Sequence, residues 1–316
     1  MTSIRGNAQA RAAFDAAMES GALHHAWLVT GPQGVGKGAF VREAAFRLLA
    51  HSAGDDSGER TRALLEAGSH PDYRELTRLA KEDRGDKRLA RSITIAQVRS
   101  LQSLFATTPS LGPRRVIVID AIDDLEREGA NALLKSLEEP PPSTVFLLVS
   151  HAPGRLLPTI RSRCRTLRFG VLDDGDVREV LREQAPDLRG DELDTLVRAA
   201  AGSPGRALRY AGLDLGAIDT ALTTIARSGD RSNAERTRLA KALSTKAAQP
   251  RYEAFLDRAP EFIAGQAPQR GGEELRTALD AYEDALGIAG AARRLSLDAG
   301  ATVFELAGVV ARLSRL

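Results

Sequence analysis

Cysteine is nearly absent from this chain: one thiol, Cys164, stands in 316 residues. A lone thiol excludes an internal disulfide and any zinc site built on four thiolates. Aromatic residues are scarce as well, at 4%, so a core must be assembled mainly from Leu, Val, Ile and Ala, in the manner of helix-rich proteins. Lysine is rare, since six of the 44 basic residues are Lys and the rest Arg. No sign of charge dominates either: 44 basic residues against 42 acidic leave a formal net charge of +2, too balanced to mark a nucleic-acid coat by itself. The opening MTSIRGNAQARAAFDAAM holds no continuous apolar stretch and reads as no secretion signal. No run reaches the length of a membrane helix. The expectation is a soluble, bacterial-type cytoplasmic protein without a membrane partner, and its length points to two or three domains.

What is present is organised around residues 114–169. Two apolar runs of strand length, 116–119 and 145–149, flank a helical stretch in which Ala130, Leu133, Leu134 and Leu137 share one face. Asp120 ends the first run, and Pro140, Pro141 and Pro142 stop the helix. An arginine-rich turn with Ser162, Arg163 and Cys164 follows the second run. Charged chemistry therefore gathers at the carboxyl ends of buried parallel strands, where open α/β sheets place their ligands.

Upstream, residues 7–20 have helical spacing, 27–30 read as a buried strand, 31–38 as a glycine-rich turn and 39–50 as a helix. Strand, glycine loop and helix are the context a phosphate-binding loop requires, with Gly31, Gly36 and Lys37 in the spacing G-x-x-x-x-G-K and Gly34 between them. Glycines let successive backbone N–H groups converge on phosphate oxygens, while the helix N-terminus and Lys37 add positive charge. The motif then wants Ser or Thr, whose hydroxyl holds Mg²⁺, and this chain has Gly38. In a phosphate-loop ATPase the partner strand ends in Asp-Glu, one carboxylate for the metal and one to activate water. Here Asp120 is kept and Ala121 replaces the Glu. Loss of a general base removes about 10²–10⁴ of rate, so efficient ATP turnover is not expected. The loop is left with two readings, weak ATP or ADP binding or none, and no cofactor is required.

Other residues stay open on sequence alone. Ser150 and His151 are either strand-end polar residues or members of the same pocket. His70 and Asp72 lack the companions a metal site needs, which leaves a solvated turn. Residues 83–91 read as a charge-mixed loop and 95–105 as an amphipathic helix. Arg161, Arg163, Arg165 and Arg155 are either a solvated basic turn or the source of an arginine finger offered to a phosphate in another subunit. Residues 174–183 and 192–201 are helical, and Ser203 precedes Pro204 at the start of a third helix, where Arg206 either reaches toward the loop or lies on the surface. From 214 to 316 there is no strand signal. Helices fall near 218–226, 235–248, 252–263, 274–286 and 302–313, with a break at Gly290. An all-helical tail without a chemical motif packs against its like, and reads as an oligomerisation domain.

The combined motifs resemble the clamp-loader group of the AAA+ family, and within it the delta-prime branch associated with bacterial DNA polymerase III. The residues that carry the resemblance are His24-His25-Ala26, GPQGVGKG at 31–38, HPDY at 70–73, DAID at 120–123, ANALLKSLEEPP at 130–141, SRC at 162–164 and GSPGRAL at 202–208. It covers 1–212 specifically and the tail only by length and helicity. The resemblance implies an α/β plus all-α protein: an AAA+ P-loop parallel-sheet domain over 1–169 with a degenerate loop, a three-helix lid over 170–212 and a helical collar over 213–316. It implies a non-hydrolysing subunit that gives Arg163 in trans to an adjacent gamma/tau ATPase subunit, alongside a delta subunit, the beta sliding clamp and primed DNA. It would be part of the DNA polymerase III holoenzyme, a nucleotidyltransferase, without ATPase activity of its own. The alternatives are a self-sufficient AAA+ ATPase or remodeller and a purely structural adaptor. Two family features are not carried over. The four-cysteine zinc module that often precedes HPDY is missing from 51–69, so no zinc is expected, and Arg206 stands one place away from the second sensor arginine of ATP-binding relatives.

Overall fold

A computed structural model describes residues 4–55, 58–83 and 86–314. The chain divides into two compact units, Met1–Leu208 and Arg209–Leu316.

The elements of the first unit run in chain order α1 (Ala8–Glu19), β1 (Ala26–Thr30), α2 (Lys37–Ala53), α3 (Glu59–Glu66), β2 (Tyr73–Leu76), β3 (Ala80–Asp83), β4 (Asp86–Leu89), α4 (Ile95–Phe105), β5 (Arg115–Asp120), α5 (Arg127–Glu138), β6 (Thr144–Ser150), α6 (Pro158–Arg161), β7 (Arg165–Arg168), α7 (Asp174–Gln184), α8 (Gly190–Ala200) and α9 (Pro204–Tyr210). The main sheet is parallel, in the order β2-β5-β6-β1-β7. Its three central strands are covered on both faces: every residue of β1 and β6 is buried, and β5 is buried up to Asp120. Parallel strands of this kind read as unbroken apolar runs.

The edge strands do not. β2 buries only Leu76 and β7 only Leu167, so neither carries an apolar run. Arg165 and Arg168 line the β7 edge, where exposed charge blunts pairing with another chain. The segment 83–91, expected as a loop, instead contributes β4, which pairs antiparallel with β3 in the register Ala80↔Leu89. Its turn, residues 84–85, lies outside the described residues.

One face of the sheet packs α4 and α5 against Ile117, Ile119, Phe146 and Leu148, with Leu101, Leu133 and Leu137 filling the layer. A capping box starts α4, with Thr94 accepting from the Gln97 N–H while the Gln97 side chain accepts from the Thr94 N–H. The other face concentrates scarce aromatics. Phe14 meets Trp27 and Phe40 edge-on at 5.1 and 5.6 Å, and Phe40 meets Phe169 at 5.0 Å.

His70 and Asp72 correct the expectation of a solvated turn, since they are only 3% and 1% exposed. The Asp72 carboxylate accepts the backbone N–H groups of Ser110 and Leu111 at 2.7 and 2.8 Å, and His70 Nδ1 accepts the Asp72 N–H at 3.1 Å. Burial of this carboxylate is sustained by those donors. The pair anchors the start of β2 rather than contacting water.

The second unit is helical: α10 (Leu215–Ser228), α11 (Ala234–Leu243), α12 (Gln249–Gln266), α13 (Gly272–Leu295) and α14 (Ala299–Ala311). α13 runs through Gly290, where the sequence suggested a break, because Ala281, Ala285, Ala289 and Ala292 continue one buried face past it. Conversely α11 stops at Leu243 and a 3₁₀ turn at Lys246–Ala248 replaces its expected last turn. α14 buries Val303, Leu306, Ala307 and Val310, and Asp298 caps it by accepting the Ala301 N–H at 2.7 Å.

Phe14→Ala should destabilise the first unit by about 3–5 kcal/mol, the cost of deleting a fully buried ring with partial collapse. Urea unfolding followed through the single Trp, buried in the same cluster, measures it. A loss below about 1 kcal/mol would mean that the aromatic cluster does not carry the α1 contact.

Candidate functional site

The carboxyl ends of β1, β5 and β6 bring residues 31–38, 120–123 and 150–152 to one edge. β1 turns at Gly31, whose φ of 144° is open to glycine and whose added Cβ would lie 2.0 Å from the Phe169 carbonyl oxygen. α2 then starts at Lys37 with no side-chain cap on its first turn. An uncapped helix start with a lysine beside it can hold an anion.

The loop's own carbonyl groups are already engaged. Lys37 is 2% exposed, and its Nζ donates to the Gly31 and Pro32 carbonyls at 2.6 and 2.5 Å. Burial pulls this ammonium down to about 8, against the attraction of Asp120 and Asp123. The start of α9 lies on the crown of the loop: Ser203 Oγ donates to the Gln33 carbonyl at 2.6 Å and the Gly205 N–H to the Gly34 carbonyl at 2.9 Å. Gly34 is required there, because its φ is 83° and an added Cβ would come 2.4 Å from Ser203 Oγ. The Ser203 hydroxyl proton thus ties the start of α9 to the loop. Arg206 follows on the same turn, its N–H donating to the Ser203 carbonyl at 2.9 Å.

Asp120 is one-fifth exposed and pairs with Arg42 Nη2 at 3.1 Å. Arg42 also donates through Nε and Nη2 to Glu75 at 2.9 and 2.7 Å, and Tyr73 Oη donates to the second Glu75 oxygen at 2.8 Å. Burial, with Glu75 next, pushes the Tyr73 phenol well above its ordinary range, so it stays a donor. A cofactor Mg²⁺ does not fit this arrangement. Position 38 has no hydroxyl, and a Cβ there would lie 2.5 Å from Asp120 Oδ2 and 3.0 Å from Arg42 Nη1. Ala121, 3% exposed, offers no base. Among the described residues no group of His, Cys, Asp and Glu is arranged to hold a metal.

Asp123 has a structural task. Its carboxylate accepts Ser150 Oγ at 3.0 Å and the N–H groups of His151 and Ala152 at 2.7 and 3.1 Å, tying the exit of β5 to the exit of β6. Ser150 is fully buried. Burial lowers the His151 imidazole, and the Lys37 charge adds to that.

Arg163 is not part of this pocket. It follows α6, one-third exposed, with Nη1 donating to the Thr159 carbonyl at 2.9 Å and Nη2 paired with Glu138 at 2.7 Å. Glu138 ends α5, whose Leu137 carbonyl is 3.1 Å from His25 Nε2, so His25 meets the SLEEPP segment. Arg155, Arg161 and Arg165 are exposed, and Arg165 lies 5.2 Å over the Trp27 ring. Burial pushes the Cys164 thiol up to about 12, which leaves it unreactive.

Sequence reasoning missed Arg42, Glu75 and Tyr73. The available signal was the helical spacing of 38 and 42, which places a cation one turn above the missing hydroxyl.

The five-stranded parallel order with a phosphate loop after β1 defines a P-loop α/β domain. Residues 6–173 match the family model described as "DNA polymerase III, delta subunit", and the chain belongs to that family. It is 39% identical over 191 residues to the DNA polymerase III subunit delta' of Pseudomonas aeruginosa, covering 60% of this chain and 56% of that protein. It is 33% identical over 196 residues to the subunit delta' of Escherichia coli, covering 61% and 56%. The matched segment thus spans little more than half the length of these relatives. A solved structure from Thermotoga maritima, a gamma subunit-related protein, aligns over 96% of this chain and 99% of its own, with a TM-score of 0.46 at 16% identity.

Asp123→Ala should cost about 2 kcal/mol, since it strands the N–H groups of residues 151 and 152, whereas an Asp123→Asn change that keeps an acceptor should cost less. Urea unfolding of both variants measures the pair, and equal losses would assign the effect to charge rather than to the lost hydrogen bonds.

Proposed function

We propose that this chain is a delta-prime-type, non-hydrolysing subunit of a DNA polymerase III clamp loader, working in the cytoplasm. It sits beside a gamma/tau ATPase subunit and gives Arg163 to that neighbour's nucleotide, and with a delta subunit it helps open the beta sliding clamp and place it on primed DNA. The observation that carries this reading is the contrast between two parts of one domain. Its own loop has lost the metal hydroxyl at Gly38 and the base at Ala121, yet Arg163 is held at the surface by Thr159 and Glu138, with its guanidinium partly open.

A guanidinium presented in that way stabilises transferring phosphoryl charge. Backbone phosphates of DNA would be met only weakly, within the assembly, since the net charge is near zero. The loop would take ATP or ADP weakly and without turnover, given that Lys37 already serves Gly31 and Pro32. The helical second unit supports an assembly role: Leu279 and Leu286, two turns apart on α13, are 51% and 48% exposed. Exposed apolar residues on one helix face favour packing against another chain.

In a loader reconstituted from this chain, gamma/tau, delta, clamp and primed DNA, Arg163→Ala should lower clamp loading at least about tenfold, because a finger contributes about 10³–10⁵ at the site it serves. Assembly, followed by size exclusion, should be unchanged. An unaltered loading rate removes the finger role, and Mg²⁺-dependent ATP hydrolysis by the isolated chain, abolished by Lys37→Ala, would favour the self-sufficient ATPase instead.

A further inference from the structure

We infer that the Arg42 guanidinium is the resident cation of the degenerate loop, standing where a phosphate-loop ATPase holds its divalent metal ion. The inference rests on reading residues 31–38 as a phosphate loop and is independent of the finger role of Arg163.

In such a loop the metal lies between the hydroxyl after the lysine and the carboxylate at the strand tip. The corresponding positions here are Gly38 and Asp120. The Asp120 Oδ2 oxygen lies 2.5 Å from where a Cβ of residue 38 would be, so it faces the expected position of the hydroxyl. Arg42 Nη1 lies 3.0 Å from the same point, and Arg42 Nη2 is 3.1 Å from Asp120 Oδ2. A cation therefore already occupies the interval between the two groups that would share a metal.

This guanidinium is held in place although its side chain is 47% exposed. Glu75 Oε1 takes its Nε at 2.9 Å and shares Nη2 with Asp120, at 2.7 Å, and Tyr73 fixes Glu75 in turn at 2.8 Å. A planar fork with fixed donors bridges two carboxylates in a way an ammonium does not. The reason for a cation at this point is charge balance. Asp120 is 19% exposed on its side chain and Glu75 23%, and two half-buried carboxylates facing one another need a positive partner.

Gly38 and Arg42 are one helical turn apart on α2, so they share a face. A threonine at 38 would press on Asp120 Oδ2 and Arg42 Nη1 together. Loss of the hydroxyl and entry of the guanidinium are in this sense one structural change, and the anion-binding end of α2 is left to act without a metal. Chemically the site is suited to a phosphate-bearing ligand whose charge is met by Lys37, the helix start and Arg42, with no divalent ion between them.

The test uses the full chain and Mn²⁺ alone as probe, with bound metal read by electron paramagnetic resonance. Native protein should show no saturable uptake in the millimolar range. Arg42→Ala, and Arg42→Met with more of the stem's packing retained, should each gain one saturable site with affinity at least about tenfold above native, as expected when one unit charge leaves contact with the carboxylates. Adding Asp120→Asn to either variant should return uptake to the native level. Far-ultraviolet circular dichroism selects the folded variants. Asp120-dependent Mn²⁺ uptake by native protein overturns the inference, as does a failure of the folded Arg42 variants to gain a site. Neither result bears on clamp loading by Arg163→Ala, so the two readings fail separately.

Discussion

Three parallel strands that give up both faces to apolar contact set the terms for the rest of the first unit. β1, β5 and β6 bury almost every side chain they carry, which leaves their polar backbone to be satisfied by neighbouring strands and their charged residues to appear only at the tips. Because the strands run parallel, those tips open at one edge. Residues 31, 120 and 150 become neighbours there although long crossovers separate them in the chain. The Asp123 carboxylate then locks β5 to β6 with three accepted hydrogen bonds, and Phe169, whose N–H donates to the Thr30 carbonyl, brings its own carbonyl oxygen to where a side chain at Gly31 would stand.

Within that frame, positive charge is spent in two different ways. Lys37 is buried on the carbonyls of its own loop, and Arg42, though half exposed, is spent between Glu75 and Asp120. Arg163 is turned outward, steadied by one backbone carbonyl and one carboxylate. The pocket is thus electrostatically complete in itself, while the turn after α6 keeps a guanidinium available at the surface. A chain with so little lysine and so much arginine has the planar, multidentate donor that both arrangements use.

Patterns visible along the chain were those with a strong period or a rigid local rule. The central strands showed as apolar runs, α4 as an amphipathic helix with matching ends, and the loop as G-x-x-x-x-G-K between strand and helix. The edge strands β2 and β7 were silent, because a strand packed on one side at a sheet margin needs only one apolar residue, Leu76 or Leu167. Asp72 was misjudged for a related reason: its acceptors are filled by Ser110 and Leu111, far along the chain, and nothing near residue 72 announces them. Gly290 misled in the other direction, since buried alanines before and after it keep α13 continuous at the cost of one weak helix former.

From sequence alone followed the parallel α/β core, the damaged phosphate loop with Gly38 and Ala121, the helical tail and the place of Arg163 in an exposed arginine turn, all consequences of local periodicity and of residue chemistry at adjacent positions. Tertiary structure alone decided that Ser203 lies on the loop, that Asp123 serves as a clasp and that Arg42 stands between two carboxylates. Those outcomes depend on which strand tips and helix starts converge, and convergence is set by packing among segments remote in sequence, where no local pattern can register it.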